Sequence, residues 1–148
     1  MTAHGRIPGA AAWVRGDADH PDLRGRVTFT PLCDGTLVTA DICGLPESEA
    51  GFFAFHIHEG GDCRGAGFPD VGGHYNPGNE PHPMHAGDLP PLLSCGGTAH
   101  LAVKTGRFRV REIIGRTVII HAHPDDFKTQ PSGDSGNKIA CGVITRSK

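Results

Sequence analysis

FFAFHIH, residues 52–58, decides how the rest of this chain reads. Two histidines, His56 and His58, stand one residue apart in an apolar and aromatic run. On a helix, side chains at i and i+2 point to different faces; on a strand they share one. Read as a strand, the run puts Phe53, Phe55 and Ile57 on one face and Ala54, His56 and His58 on the other. The first face suits a core. The second holds two imidazoles side by side, which suits a metal ion.

The same period of two recurs elsewhere. Segments 24–30, 37–42 and 98–103 alternate apolar with polar residues, and 107–110, 116–121 and 138–144 are further strand candidates rich in Val and Ile. Turn signals separate them: Cys33-Asp34-Gly35, Gly44-Leu45-Pro46 and Thr105-Gly106-Arg107. The 22 glycines and 12 prolines favour turns over long helices. The pattern predicts an all-β fold, a Greek-key β-sandwich or flattened eight-stranded barrel of Ig-like character. Two stretches, 59–93 and 124–137, interrupt it with Gly, Pro, Asp and Asn. Both reach the ~12–15 residues beyond which loops tend to be functional.

At 148 residues the chain is read as one domain, 1–148, with 1–23 an irregular N-terminal extension plus the first strand. A net charge of −2 and the lack of aromatic-plus-basic interleaving argue against a nucleic-acid partner. No apolar run approaches the ~20 residues of a membrane span. No signal peptide is visible, and the compartment, cytoplasmic or extracytoplasmic, stays open. The five cysteines include no CxxC, so a zinc ribbon or thioredoxin-like motif is not expected. Their odd number leaves at least one thiol free or paired between chains.

Six histidines and an aspartate form a pattern: His56 and His58 on the strand, then His74, His82, His85 and Asp88 on the long loop, and His121 ending 116–121. Imidazole suits zinc and copper, and carboxylate is an acceptable zinc ligand. Seven ligands are too many for one tetrahedral site but suffice for two sites sharing a histidine. The other histidines, His4, His20, His100 and His123, are read as structural or solvent-facing.

FHIHEGGDC, GGHYNP, HAGDL, GRTVIIHAHPDD and GNKIACGVI occur in this order, and together they resemble the signatures of copper/zinc superoxide dismutases of bacterial type. The similarity runs from about Val27 to Ile144. It implies copper held by His56, His58, His74 and His121, and zinc by His74, His82, His85 and Asp88. Asp125 would be the outer carboxylate that hydrogen-bonds His56 and His82. Cys63 and Cys141 would form an intrachain disulfide tying the long loop to the last strand. The implied activity is conversion of superoxide to oxygen and hydrogen peroxide, with copper cycling and His74 taking a proton. The family is often dimeric, which leaves a homodimer open.

The chain departs from this family in one motif. Gly133-Asp134-Ser135-Gly136-Asn137-Lys138 carries Lys138 where the substrate channel usually has arginine. Lysine keeps the charge and loses the planar fork. Asp134 replaces the usual asparagine and adds negative charge near the channel. The expectation is an active enzyme of reduced rate. Two other functions compete with this one. A metal-binding relative could act as a copper or zinc buffer without activity. A zinc hydratase could use His56, His58 and His121, which leaves the other four ligands unexplained. Ser135 is expected to shape a loop, because the protease that GDSG suggests needs two barrels. Cys33, Cys43 and Cys95 are expected to be small buried hydrophobes or free thiols, with burial favoured for Cys43.

Overall fold

Alternation becomes strands almost wherever it is written. A computed structural model describes residues 7–147; His4 lies outside them. In chain order the strands are β1 (Ala10–Gly16), β2 (Arg24–Leu32), β3 (Gly35–Cys43), β4 (Phe52–Phe53), β5 (Phe55–His58), β6 (Leu92–Leu93), β7 (Ala99–Thr105), β8 (Thr117–His121) and β9 (Lys138–Arg146). One short helix, α1 (Val110–Ile113), precedes β8.

Seven strands form one antiparallel sheet in the order β5-β8-β9-β1-β2-β3-β7. The chain leaves β3, crosses to β5 at the far edge, and returns to β7 beside β3. That is a Greek-key path. β4 leads into β5 at one edge, and its partner β6 packs beside β7 at the other. The sheet therefore curls until its edges meet. Seven strands plus the short β4–β6 ladder stand where eight were expected.

The interior is built from every second residue. Ala10, Ala12 and Val14 of β1, Val27 and Phe29 of β2, Val38, Ala40 and Ile42 of β3, and Phe55 and Ile57 of β5 point into one core. Val118 and Ile120 of β8 join them, while Ile119 between them faces the other way. There it packs with Phe68, Val71 and Cys141 in a second, smaller cluster. That cluster lies under the long loop, and the Cys63–Cys141 disulfide staples the loop across it.

Three local expectations need correction. Segment 107–110 is not a strand: Phe108 turns into the core, and Val110 opens α1, where the Glu112 carboxylate accepts the Arg109 backbone N–H at 3.0 Å. Run 52–58 breaks at Ala54, because its halves pair with different strands. Cys33 and Cys95 are exposed in turns and Cys43 is only half-buried, so burial fails for the first two. All three are free thiols.

Candidate metal centre

β5 is buried on both faces, since its second face meets the long loop rather than water. The loop runs along the edge of β5 that β8 leaves open. Tyr75 donates its N–H to the Ile57 carbonyl at 2.8 Å, and Ile57 donates its own to the Gly87 carbonyl at 2.9 Å. These bonds cover a strand edge that would otherwise offer unpaired backbone groups. They also set His74 opposite His58 and Asp88 opposite His56. Gly87 is needed for this approach, since a Cβ there would stand 2.3 Å from the Ile57 carbonyl oxygen.

Two groups of ligand atoms result. Those of His56, His58, His74 and His121 lie within 4.8 Å of one another, as do those of His56, His74, His82 and Asp88. His85 joins the second group: its Nδ1 is 3.2 Å from both His74 Nδ1 and Asp88 Oδ2. His56 lies near both groups, but its Nε2 is bound to Asp125, which leaves Nδ1 alone and so a place in one site only.

The hydrogen bonds fix which nitrogen of each ring carries a proton. His58 Nδ1 lies 2.8 Å from the Gly72 carbonyl, and His121 Nδ1 lies 3.3 Å from the Gly136 carbonyl. A carbonyl only accepts, so each Nδ1 donates and each Nε2 presents a lone pair. These two lone pairs face each other at 3.3 Å. Asp125 is 2.8 Å from the Nε2 of both His56 and His82. Both Nε2 atoms therefore donate, and both Nδ1 atoms are left as acceptors. The His82 Nδ1 acceptor points at Asp88 Oδ2, 3.1 Å away.

His56 Nδ1, His74 Nε2 and His82 Nδ1 are buried without any hydrogen-bond partner. Each unsatisfied buried polar atom costs about 1–3 kcal/mol. Lone pairs converging on each other and on a carboxylate are the donor set of a bound cation. On the Asp88 side the nearest separations are 2.8–3.2 Å. They are close to the ~3.3 Å edge of a tetrahedron with metal–nitrogen bonds of about 2.05 Å. The residues therefore fit two metal ions, with His74 between them.

Electrostatics prepares the rings for this. Burial pushes His58 down to about 2 and His121 down to about 3, against an ordinary 6.5, so both stay neutral and able to ligate in acid. Burial also lowers His56 and His85. Burial opposes ionisation of Asp125, but hydrogen bonds from His56, His82 and the Phe127 N–H overcome it and hold the carboxyl well below its usual range. Asp88 is lowered too: burial opposes its ionisation, and the hydrogen bond from His74 with the adjoining rings prevails.

A cleft of about 730 Å³ opens onto His58, His74 and His121, with Lys138 on its wall. Lys138 is close enough that its charge helps to lower His121. Asp134 is exposed at a positive φ of 54°, between Ser132 and Gly136, which line the cleft. Ser135 is buried and donates to the Ser132 carbonyl at 2.6 Å, shaping the turn. His123 is exposed; His20 and His100 each pair with an aspartate at 2.6 Å, outside the cluster.

Several supporting residues had escaped sequence reasoning. Arg107 donates to the Pro83 and His85 carbonyls, at 2.7 and 3.1 Å, and so holds the loop segment that carries His82 and His85. Gly133 lets the second loop close over Asp125, since a Cβ there would lie 2.0 Å from the carboxylate. The turn before Lys138 was readable as a loop, but nothing in its residues signalled contact with Asp125.

Residues 23–144 match the profile of the family described as copper/zinc superoxide dismutase (SODC). The chain is 36% identical over 144 residues to the superoxide dismutase [Cu-Zn] of Deinococcus radiodurans, covering 82% of this chain and 77% of that one. It is 37% identical over 132 residues to that of Legionella pneumophila, covering 84% and 79%. It is 34% identical over 152 residues to superoxide dismutase [Cu-Zn] 3 of Arabidopsis thaliana, covering 91% and 88%. The chain belongs to the copper/zinc superoxide dismutases, a family of oxidoreductases.

Proposed function

We propose that this protein dismutates superoxide: His56, His58, His74 and His121 would hold a copper ion, and His74, His82, His85 and Asp88 would hold a zinc ion. The observation that carries the reading is His74. Its Nδ1 faces Asp88 at 2.8 Å, its Nε2 is buried and unpartnered, and the residue itself lines the cleft. Bound copper supplies one-electron exchange with superoxide, while zinc has no redox chemistry and only orders the rings.

The chain's own residues do the rest. Lys138 draws the anion into the cleft, where His58 and His121 lie at the base. His74 can hold a proton at Nε2 while Nδ1 stays turned to Asp88, and so can hand a proton to a peroxide anion in the cleft. Asp125 holds His56 and His82 in the tautomer that frees their Nδ1 atoms. Lys138 attracts as a point charge without the fork of arginine, so binding of the diatomic anion is less directed and the rate lower.

Reconstitution with copper and zinc tests this. The expected result is about one of each per chain and superoxide dismutation. His121→Ala should keep zinc and lose copper affinity and activity by at least ~100-fold, the upper end of what lesser changes around a metal cost. Zinc binding alone, with no dismutation, would contradict the reading. Lys138→Arg should raise the rate at low ionic strength by about a few-fold, because it restores the directed two-donor fork at unchanged charge; an unchanged or lower rate would remove Lys138 from the account.

A further inference from the structure

The charges on the cleft wall do not sum to an anion trap. Among the described residues Lys138 is its only basic residue apart from histidine, and Asp17 and Asp19 share the wall with it. Both acids belong to the turn that joins β1 to β2. Asp17 is held firmly: its N–H donates to the Ile139 carbonyl at 2.8 Å, next in sequence to Lys138. Its carboxylate accepts from the Asp19 N–H at 3.1 Å and lies 2.6 Å from His20 Nδ1. Register puts Gly16 of β1 opposite Ala140 of β9, so the turn and Lys138 emerge at the same end of neighbouring strands. Neither acid forms an ion pair with Lys138 among the described residues.

We infer that Asp17 and Asp19 are specificity-determining residues of the cleft, a negative rim that offsets Lys138 and limits entry of small anions. The inference rests on the copper assignment above and extends it to residues outside the metal-binding loops. A unit charge ~10 Å from the anion's path, at a dielectric near that of water, changes local anion concentration by about twofold. Two such charges outweigh one lysine. Anion affinity in this protein should then be flat or rise slightly with ionic strength, where a positive cleft would show a fall.

Azide titration of the copper- and zinc-loaded protein, followed by the copper absorption band, reads this without turnover. Asp17→Asn with Asp19→Asn keeps the turn's acceptor for the Asp19 N–H and removes both charges. It should tighten azide about fourfold at ~10 mM salt and hardly at all at ~500 mM, where screening reaches a few ångströms. Asp34→Asn, in the turn at the other end of β2, should change nothing. Azide affinity that ignores the double substitution, or responds equally to Asp34→Asn, overturns the rim. Absence of any azide-sensitive copper band contradicts the copper assignment itself, and the rim with it.

Discussion

The two faces of β5 make opposite demands. Phe55 and Ile57 enter a core that protein atoms fill: both are fully buried and surrounded by aliphatic side chains. His56 and His58, on the reverse face, enter a cluster that protein atoms leave incomplete, with unpartnered nitrogens and opposed lone pairs. The first face is stable by burial alone. The second is assembled by the loop, at an energetic cost recovered only when cations bind. One four-residue strand thus serves as a packed wall and as a rigid mount for ligands.

Separating the loop from the barrel should have the largest effect on stability. Cys63→Ser with Cys141→Ser opens a disulfide spanning 78 residues in sequence. The chain-entropy model assigns this about 4.5 kcal/mol. Denaturant unfolding with the metals removed would measure it, and metal affinity should fall as the loop loosens.

Cutting into the barrel face should give a different signature. Phe55→Ala leaves a cavity costing about 3–5 kcal/mol. Folded protein isolated at low temperature should nevertheless still bind both metals. If instead metal binding fails while stability is untouched, the division between the two faces is wrong.

Acid should act on the histidine face of the metal-free protein. The unfolded chain protonates His58 and His121 near 6.5, whereas the folded chain resists until about 2 and 3. The unfolded state therefore binds more protons between these limits, and stability falls as pH drops below about 6.5. Two rings give a slope of up to about 2.7 kcal/mol per pH unit near pH 5. Unfolding free energies measured from pH 7 to pH 4 would show the slope; a flat profile would mean the rings are already protonated when folded.

Asp125→Asn should be milder in stability and visible in metal affinity. An amide can accept from only one of His56 and His82, so one ring must change tautomer. Loss of such an outer partner costs about 10–100-fold in metal affinity. Competition with a chelator would read it.

Much of this was legible in the sequence because two periods carry it. Alternation located most of the large-sheet strands, and the FHIH spacing put both histidines on one face. β1 was harder: Ala10 and Ala12 alternate with Ala11, so little contrast marks the buried side. The segment at 107–110 failed because Val110 reads as a strand residue, while the Glu112 cap and the burial of Phe108 decide for a turn and helix. The ligand set followed from the family resemblance, whereas the proton positions needed the carbonyls of Gly72 and Gly136, and these have no sequence signal. The acids on the cleft wall were missed for a similar reason. Asp17 and Asp19 are remote in sequence from Lys138 and reach it only through pairing of β1 with β9.

The central claim is that His74 belongs to both metal sites, and its most direct test is metal affinity in His74→Ala. Titration of the metal-free variant with zinc and with copper separately, against the unaltered protein, should show both affinities weakened. Weakening of one metal with the other unchanged would contradict a shared histidine.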